Sequence, residues 1–347
     1  MDQEKKVKIS TVAYSTVLIF FGFLFVVGVL IYGFGMDNQV TQKVAGIFPY
    51  PAAVINGVNF IALNQVEDNL KAVRHFYENQ DFGSVGLKVD FTTPDGQKRL
   101  KIREKELLTK MIENRIIAML ANKNGIVLTK EAITQEVNKR LAQYGTTNDL
   151  VGNLQKLYGW NMNDFEQQIV APDMYKAALA EKVRNSDPAT IQAKAKIDQA
   201  AADLKANKDF AAVAEKYSVG DSAKGGGELG WFSADQMLPE IAMAAFNMKV
   251  GDVSDVIESS LGYHIIQLED KRTDNGVDKV RLRQIFVRTP TFADWLLGQE
   301  KNIKIYIPLK DYYWNASDGT VEFRSNDLKQ FEQNLDQNSP DDASVIF

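Results

Sequence analysis

The sequence contains no cysteine and only two histidines, His75 and His264, among 347 residues. The first absence removes disulfides, thiolate nucleophiles, iron–sulfur clusters and cysteine-ligated zinc. The second removes the three-histidine zinc site and leaves little room for a histidine-based triad beside any other role. A cysteine-free chain suits export, although many cytosolic chains lack cysteine too. Basic charge is in slight deficit: 40 Lys and Arg against 45 Asp and Glu give −5, without the basic face that nucleic acid requires. No metal, cofactor or nucleic-acid partner is therefore expected. What is present, 45% hydrophobic and 24% charged residues, is the composition of a folded chain with room for two or three domains.

One local deviation stands out. From Ile9 to Met36 no residue is charged, a run of 28, and at about 1.5 Å per helical residue it exceeds the ~30 Å hydrocarbon core. A cleaved signal peptide has a shorter apolar stretch and a small-residue cleavage site; this run ends in Tyr32-Gly33-Phe34-Gly35-Met36. A transmembrane anchor over 9–36 is the expectation. Lys5, Lys6 and Lys8 precede the run, so residues 1–8 are expected in the cytoplasm and 37–347 outside it.

Pro49 and Pro51 predict an extended tether over 37–51. Ala53 to Phe60 reads as a strand, an Asn56-Gly57 turn and a return strand, and about Ala62 to Glu78 as a helix. Asp81 to Gln97 reads as a loop or hairpin. Leu107, Leu108, Met111, Ile112, Ile116, Met119 and Leu120 recur at helical spacing, with Gly125 as the stop. Thr129 caps a helix that Gly145 ends, a shorter helix follows over Leu150 to Leu157, and Asn163 caps the last, interrupted near Pro172. Periodicity alone gives a mostly helical module whose apolar stripes are packing.

The segments Ala53-Val54-Ile55-Asn56-Gly57, Leu107 through Arg115, Asn124-Gly125-Ile126-Val127-Leu128-Thr129, and Tyr158-Gly159-Trp160 through Phe165 together resemble the N-terminal chaperone domain of the SurA, PpiD and PrsA foldases. The resemblance covers about 52–184, taken as a domain over 52–186, and the single anchor makes PpiD the nearest in layout.

Beyond Asp187-Pro188 lie an Ala- and Lys-rich helix, a second helix from Lys208 to Tyr217-Ser218, and the loop Gly225-Gly226-Gly227-Glu228-Leu229-Gly230-Trp231-Phe232. A phosphate cradle is a poor reading of this loop, since no strand leads into it and no Lys-Ser/Thr follows. Met237-Leu238-Pro239-Glu240-Ile241, a helix through Phe246, and Gly262-Tyr263-His264-Ile265-Ile266-Gln267-Leu268 come next. In order and spacing the run resembles the parvulin family of peptidyl-prolyl isomerases, placed over 187–290.

Isomerising X-Pro bonds means crossing a barrier of ~18–20 kcal/mol that otherwise takes tens to hundreds of seconds. An acceleration of about 10³–10⁴-fold needs only about 4–5.5 kcal/mol, which an apolar slot that grips proline and desolvates the amide can supply without nucleophile, metal or cofactor. The resemblance implies Leu229, Met237 and Ile241 as the proline pocket, Ile241 replacing a customary Phe, with Trp231, Phe232 and Phe246 as further substrate contacts. It implies His264 beside the reacting amide and Ser259 as a hydroxyl near it. Gly220 falls where an acid or cysteine is customary, with Asp221 adjacent. As ordinary core, Leu229, Met237 and Ile241 would need no such role, and His264 could be a packed strand histidine.

Parvulins open with a strand that is missing before Pro188. After the last family strand, Asp274-Asn275-Gly276 offers a tight turn into Lys279 to Arg288, which looks like that missing strand, with Gln284 in place of its histidine. The expectation is a circularly permuted domain closed by 280–288; the alternative is the start of a second, degenerate repeat. Residues 291–347 read as a small α/β extension, with strands at Ile303 to Ile307 and Tyr312 to Phe323, a helix from Asn326 to Leu335, and a loose tail.

The fold class expected is α+β: anchor, helical chaperone domain, and a parvulin domain with an antiparallel sheet. The function expected is a membrane-anchored extracytoplasmic foldase that binds unfolded exported chains and isomerises X-Pro bonds, with the bilayer and the secretion machinery as further partners. The alternatives are a non-enzymatic holdase with a degenerate parvulin domain and an envelope scaffold.

Overall fold

A computed structural model describes residues 9–36, 38–79, 90–144 and 147–338. The fold is α+β, helical in its N-terminal part, with antiparallel sheets. It divides into two compact units, Met1–Ala177 with Leu297–Phe347, and Ala178–Leu296.

The first unit begins with α1 (Ile9–Tyr32) and α2 (Gln39–Ile47). Among the described residues no helix is long and apolar enough to cross a membrane; the side chains of α1 are described from Val17 onward. The expected extended tether is instead largely α2. Asn38 makes the difference: its side chain accepts from the N–H groups of Val40 and Thr41 at 2.9 and 3.1 Å, while the Thr41 hydroxyl accepts from Asn38 N–H at 2.9 Å. The hairpin of β1 (Pro51–Ile55) and β2 (Asn59–Ala62) follows the Asn-Gly signal, with φ of 51° at Asn56 and 76° at Gly57.

Next come α3 (Leu63–Asn79) and the 30-residue α4 (Pro94–Lys123). Thr93 caps α4 by accepting from Gly96 N–H at 3.0 Å, and Pro94 supplies the first helical residue, so residues 94–97 are helix where a loop was expected. The remainder of that loop or hairpin falls largely on 80–89, outside the described residues, as does the Gly145 stop. After α5 (Lys130–Tyr144) and α6 (Thr147–Tyr158), Asn161 rather than Asn163 caps α7 (Met162–Phe165), accepting from Asp164 N–H at 3.1 Å. A π-helical turn, Glu166–Val170, then leads into α8 (Ala171–Ser186). The interruption expected near Pro172 is this turn; Pro172 has no N–H to continue the ordinary ladder.

In the second unit Asp187 caps α9 (Pro188–Lys205) and Asp209 caps α10 (Phe210–Tyr217), their carboxylates accepting from Thr190 and Ala212 N–H groups at 2.8 and 3.0 Å. β3 (Glu228–Ser233), α11 (Pro239–Asn247), β4 (Ile257–Ser259), β5 (Gly262–Asp274), β6 (Val277–Arg288) and α12 (Phe292–Glu300) complete it, the last running across the boundary at Leu296. The sheet order is β3-β6-β5-β4, antiparallel throughout. The segment expected to close the sheet does pair with the family strand, from Gly262 opposite Arg288 to Leu268 opposite Leu282. The connecting turn has φ of 51° at Asn275 and 79° at Gly276.

Alternation along β5 and β6 gives the sheet two apolar faces. On one, Tyr263, Ile265, Ile285 and Val287 pack with Ala193, Ile197 and Ala200 of α9 and Phe210, Val213, Ala214 and Tyr217 of α10. On the other, Ile266, Leu268, Val280 and Leu282 pack under Ile241 and Ala245 of α11. At about 1.5–3 kcal/mol per large buried side chain, these two layers hold the unit.

Of residues 291–347, expected as a separate extension, those from Leu297 onward belong to the first unit. β7 (Ile305–Tyr306) pairs with β1 to give the order β2-β1-β7. Its approach is fixed by two bonds: Asn56 N–H donates to the Lys304 carbonyl at 2.8 Å and Lys304 N–H to the Asn56 side chain at 3.0 Å. The hairpin β8 (Tyr312–Asn315) and β9 (Thr320–Phe323) lies on α4, where Tyr312 donates to Glu104 at 2.7 Å and Val321 N–H to Thr109 at 3.0 Å. α13 (Asn326–Asn338) also returns to α4 through Lys105–Glu332 at 2.6 Å. The tail beyond 338 lies outside the described residues.

Candidate functional site

The face of the sheet beneath α11 changes character along β5. Leu268 and Ile266 are fully buried hydrocarbon, and two residues further the same face carries His264, 3% exposed. Its cross-strand neighbours are Ile257 on β4 and Phe286 on β6. The Phe286 ring stacks on the imidazole at 4.6 Å with 18° between planes. Gln284, opposite Ile266, stands on the same face of β6.

Each imidazole nitrogen has a partner. Ser259 Oγ lies 2.7 Å from Nε2 and Gln284 Oε1 lies 3.3 Å from Nδ1. Nδ1–H donating to Gln284 and Ser259 O–H donating to Nε2 satisfy both contacts with a neutral ring. Leu261 N–H fixes Ser259 by donating to its Oγ at 3.1 Å. The short β4–β5 connection that aims Ser259 needs Gly262: φ is +143°, and a Cβ there would lie 2.2 Å from the Val287 carbonyl.

Burial pushes the His264 pKa below the ordinary 6.5, while the Gln284 hydrogen bond and the charge of Glu240 pull the other way. The folded chain therefore resists a proton that the unfolded chain accepts at about 6.5, so stability from this group is present above that pH and lost as pH falls through the lower folded value. We expect the native protein to lose stability relative to a His264→Gln variant as pH drops below 6.5, measured by urea midpoints. Parallel curves would contradict this.

The remaining sequence-predicted residues divide by position. Ile241 is 4% exposed within the apolar cluster, and Met237 and Phe246 pack half-buried against it, as does Leu238. Phe246 lies in the last turn of α11 near Lys271, whose ammonium donates to its carbonyl at 2.7 Å, at the other end of the helix from Glu240, whose charge acts on His264. Phe232 pairs with Val280 and shares its face; Leu229 lies at the irregularity between Glu228 and Gly230. Trp231 pairs with Arg281 on the opposite face, where the Arg272 guanidinium sits 4.2 Å over its ring. It is thus apart from His264, beside the Glu228, Glu269, Arg281 and Arg283 ion pairs. Asp221 opens a 3₁₀ turn, Asp221–Gly225, and its side chain is outside the described residues.

Gly220 has φ of +100°, a conformation that disfavours any side chain; the customary acid or cysteine is missing from a backbone that suits glycine. Next to it, Val219 N–H donates to the Phe286 carbonyl at 2.8 Å and Phe286 N–H to Ser218 Oγ at 2.9 Å. Two of the three glycines are packing devices: a Cβ on Gly226 would lie 2.6 Å from that of Ala211, and one on Gly227 2.5 Å from the Gln284 carbonyl. Phe286 is the site residue that the sequence pattern alone does not single out. A signal for it exists, since Gln284 and Phe286 are two apart in a strand and so share a face.

Residues 177–270 match the rotamase family described as the PPIC-type PPIASE domain. The chain is 29% identical over 228 residues to the foldase protein PrsA of Halalkalibacterium halodurans, covering 56% of this chain and 68% of that one. It is 29% identical over 238 residues to foldase protein PrsA 2 of Bacillus cereus, covering 62% and 81%. Over 130 residues it is 38% identical to the chaperone SurA of Yersinia pestis, covering 35% of this chain and 29% of that one. With the matched segment forming β3, β4, most of β5 and the helices around His264, the second unit carries a PPIC-type peptidyl-prolyl isomerase domain, and the chain is similar in sequence to PrsA foldases and SurA chaperones.

Proposed function

We propose that this protein is a membrane-anchored extracytoplasmic foldase. Its second unit isomerises X-Pro bonds on the face that α11 shares with His264, and its helical first unit holds unfolded segments of exported chains. The observation that carries the catalytic part is the passage, on one sheet face, from closed hydrocarbon to a neutral, fully hydrogen-bonded imidazole with Ser259 and Gln284.

Twisting the peptide bond ends its resonance, so the planar ground state carries more charge separation than the twisted one. Transfer from water to a face lined by Met237, Ile241 and Phe286 costs the planar form more than the twisted form. His264 holds Ser259 and Gln284 in place, and the Gln284 amide N–H groups orient the substrate backbone without bringing a formal charge to the amide. β6 occupies the place of an opening strand, which supports a permuted strand order.

The anchor reading is supported by α1, 24 residues without a charged side chain, about 36 Å at 1.5 Å per residue, preceded by Lys5, Lys6 and Lys8. It puts residues 37–347 outside the cytoplasm, with the secretion machinery as the neighbouring source of clients.

The catalytic reading is tested by cis/trans exchange of an Ala-Pro peptide with the full chain in detergent. Met237→Ala and His264→Ala should each lower kcat/KM about tenfold, about 1.4 kcal/mol of transition-state stabilisation, and Trp231→Ala, on the other face, should leave it unchanged. Equal rates in all four proteins would overturn the assignment.

A further inference from the structure

The chain does not leave α1 as a free tether. After α2 it runs back along α1 and is fastened to it. Tyr50 Oη donates to the Leu24 carbonyl at 2.7 Å, and Tyr32 Oη donates to the Pro51 carbonyl at 2.9 Å. The Phe48 ring meets Phe20 edge to face at 5.4 Å. Val27 and Ile31 are 2% and 6% exposed, and a Cβ on Gly28 would touch the Tyr50 ring at 3.4 Å. The Phe48 ring is therefore level with Phe20 and the Tyr50 hydroxyl with Leu24, while Pro51 lies within reach of the Tyr32 hydroxyl, so the segment climbs toward the C-terminal end of α1.

If α1 spans a bilayer, as the proposed function holds, these contacts fix the depth of the Phe48–Pro51 segment. A span needs about 20 residues. Counted from Ile9, where the uncharged run begins, it reaches about Gly28. The Phe48 ring, level with Phe20 eight residues below that point, lies about 12 Å inside the hydrocarbon boundary, and the Tyr50 hydroxyl, level with Leu24, about 6 Å inside. Any later boundary puts them deeper.

The surface of this hairpin matches that placement. Thr41 and Ala45 form the buried side of α2, at 2% and 1% exposure. On its outer side Val40 is 58% and Ile47 74% exposed, with the exposed Lys43 between them, a cation whose stem can reach toward headgroups. Phe34 and Met36, at the head of α1, are 66% and 46% exposed. The exposed apolar side chains of α1, Leu18, Ile19, Phe21 and Phe25 among them, run into this patch with no charged residue from Ile9 to Met36. Tyr32 and Tyr50 stand astride the boundary, where amphipathic rings are favoured.

We infer that α2 and Phe48 form a second membrane contact: the α1–α2 hairpin enters the outer leaflet as one piece and holds the first unit against the lipid surface. The inference rests on the anchor reading, and one experiment separates the two. Because the chain has no cysteine, Ile47→Cys, Val40→Cys, Phe21→Cys and Val58→Cys each give a single labelling site. All four positions are exposed, Val58 at 79% on the β1–β2 turn, so folding is undisturbed. Each full-length protein, carrying an environment-sensitive fluorophore, is reconstituted in phosphatidylethanolamine–phosphatidylglycerol vesicles with or without a nitroxide-bearing lipid. The expected result is strong quenching at Phe21 and at Ile47, weaker quenching at Val40, and none at Val58. Quenching at Phe21 with none at Ile47 or Val40 would overturn the second contact and leave the anchor standing. No quenching at Phe21 would overturn both.

Discussion

A fragment of the second unit ending at Asp274, which contains all of the family-matched segment 177–270 but its first residue, is expected not to fold when it starts at residue 178. It lacks β6, the strand between β3 and β5. With it go Val280, Leu282, Ile285 and Val287, all 0–3% exposed, two from each apolar layer of the sheet. At about 2–4 kcal/mol for each large aliphatic side chain, their loss alone rivals the whole stability of a typical domain, about 5–15 kcal/mol. It would also strand the backbone polar groups of β5 along Gly262–Asp274. Residues 178–274 and 178–296, compared by circular dichroism and proteolysis, should give an unfolded and a cooperatively folded fragment. Cooperative unfolding of the shorter one would show that β6 is an accessory.

The second large effect is expected from Gly227→Ala. Gly227 has φ of +82°, and an added Cβ would lie 2.5 Å from the Gln284 carbonyl and 3.1 Å from the Ala214 Cβ. Neither neighbour can move cheaply: one is backbone of the central strand, also held by Gln284 N–H donating to the Gly227 carbonyl at 2.8 Å, and the other is buried in α10. Left-handed strain and overpacking together should cost about 2–5 kcal/mol, read as a lowered urea midpoint. Gly225→Ala, two residues away with nothing within 4 Å of the added Cβ, should stay within about 0.5 kcal/mol of the native protein. Equal effects at the two positions would mean that the loop does not pack as described.

What could be read from residues alone tracks the range of the interaction behind it. The Asn56-Gly57 and Asn275-Gly276 turns, the Asp187-Pro188 break and the end of α10 at Tyr217 are local chemistry, and the structure has them there. The pairing of 280–288 with 262–268 was legible because a tight turn fixes register across a hairpin. By contrast, α2 was hidden by the prolines after it, because Asn38 and Thr41 cap each other from positions that composition does not weigh. The return of 297–347 to the first unit depends on β7 meeting β1, about 250 residues earlier, and no local pattern encodes such a contact. At the site, His264, Ser259 and Gln284 are named by the sequence and are joined by hydrogen bonds. Trp231 groups with them in sequence because it is aromatic and adjacent, but strand alternation sends it to the other face. Phe286 is hidden for the same reason in reverse.

The scarcity of histidine makes the central claim directly observable. His75, in the first unit, and His264, in the second, are the only imidazoles in the chain, so two ring signals report on the two units in one NMR titration. An Ala-Pro peptide added to the full chain in detergent micelles should shift the His264 signal and leave His75 in place, while exchange between the peptide's cis and trans resonances quickens with protein concentration. A peptide that exchanges no faster, with an unmoved His264 signal, would contradict the account.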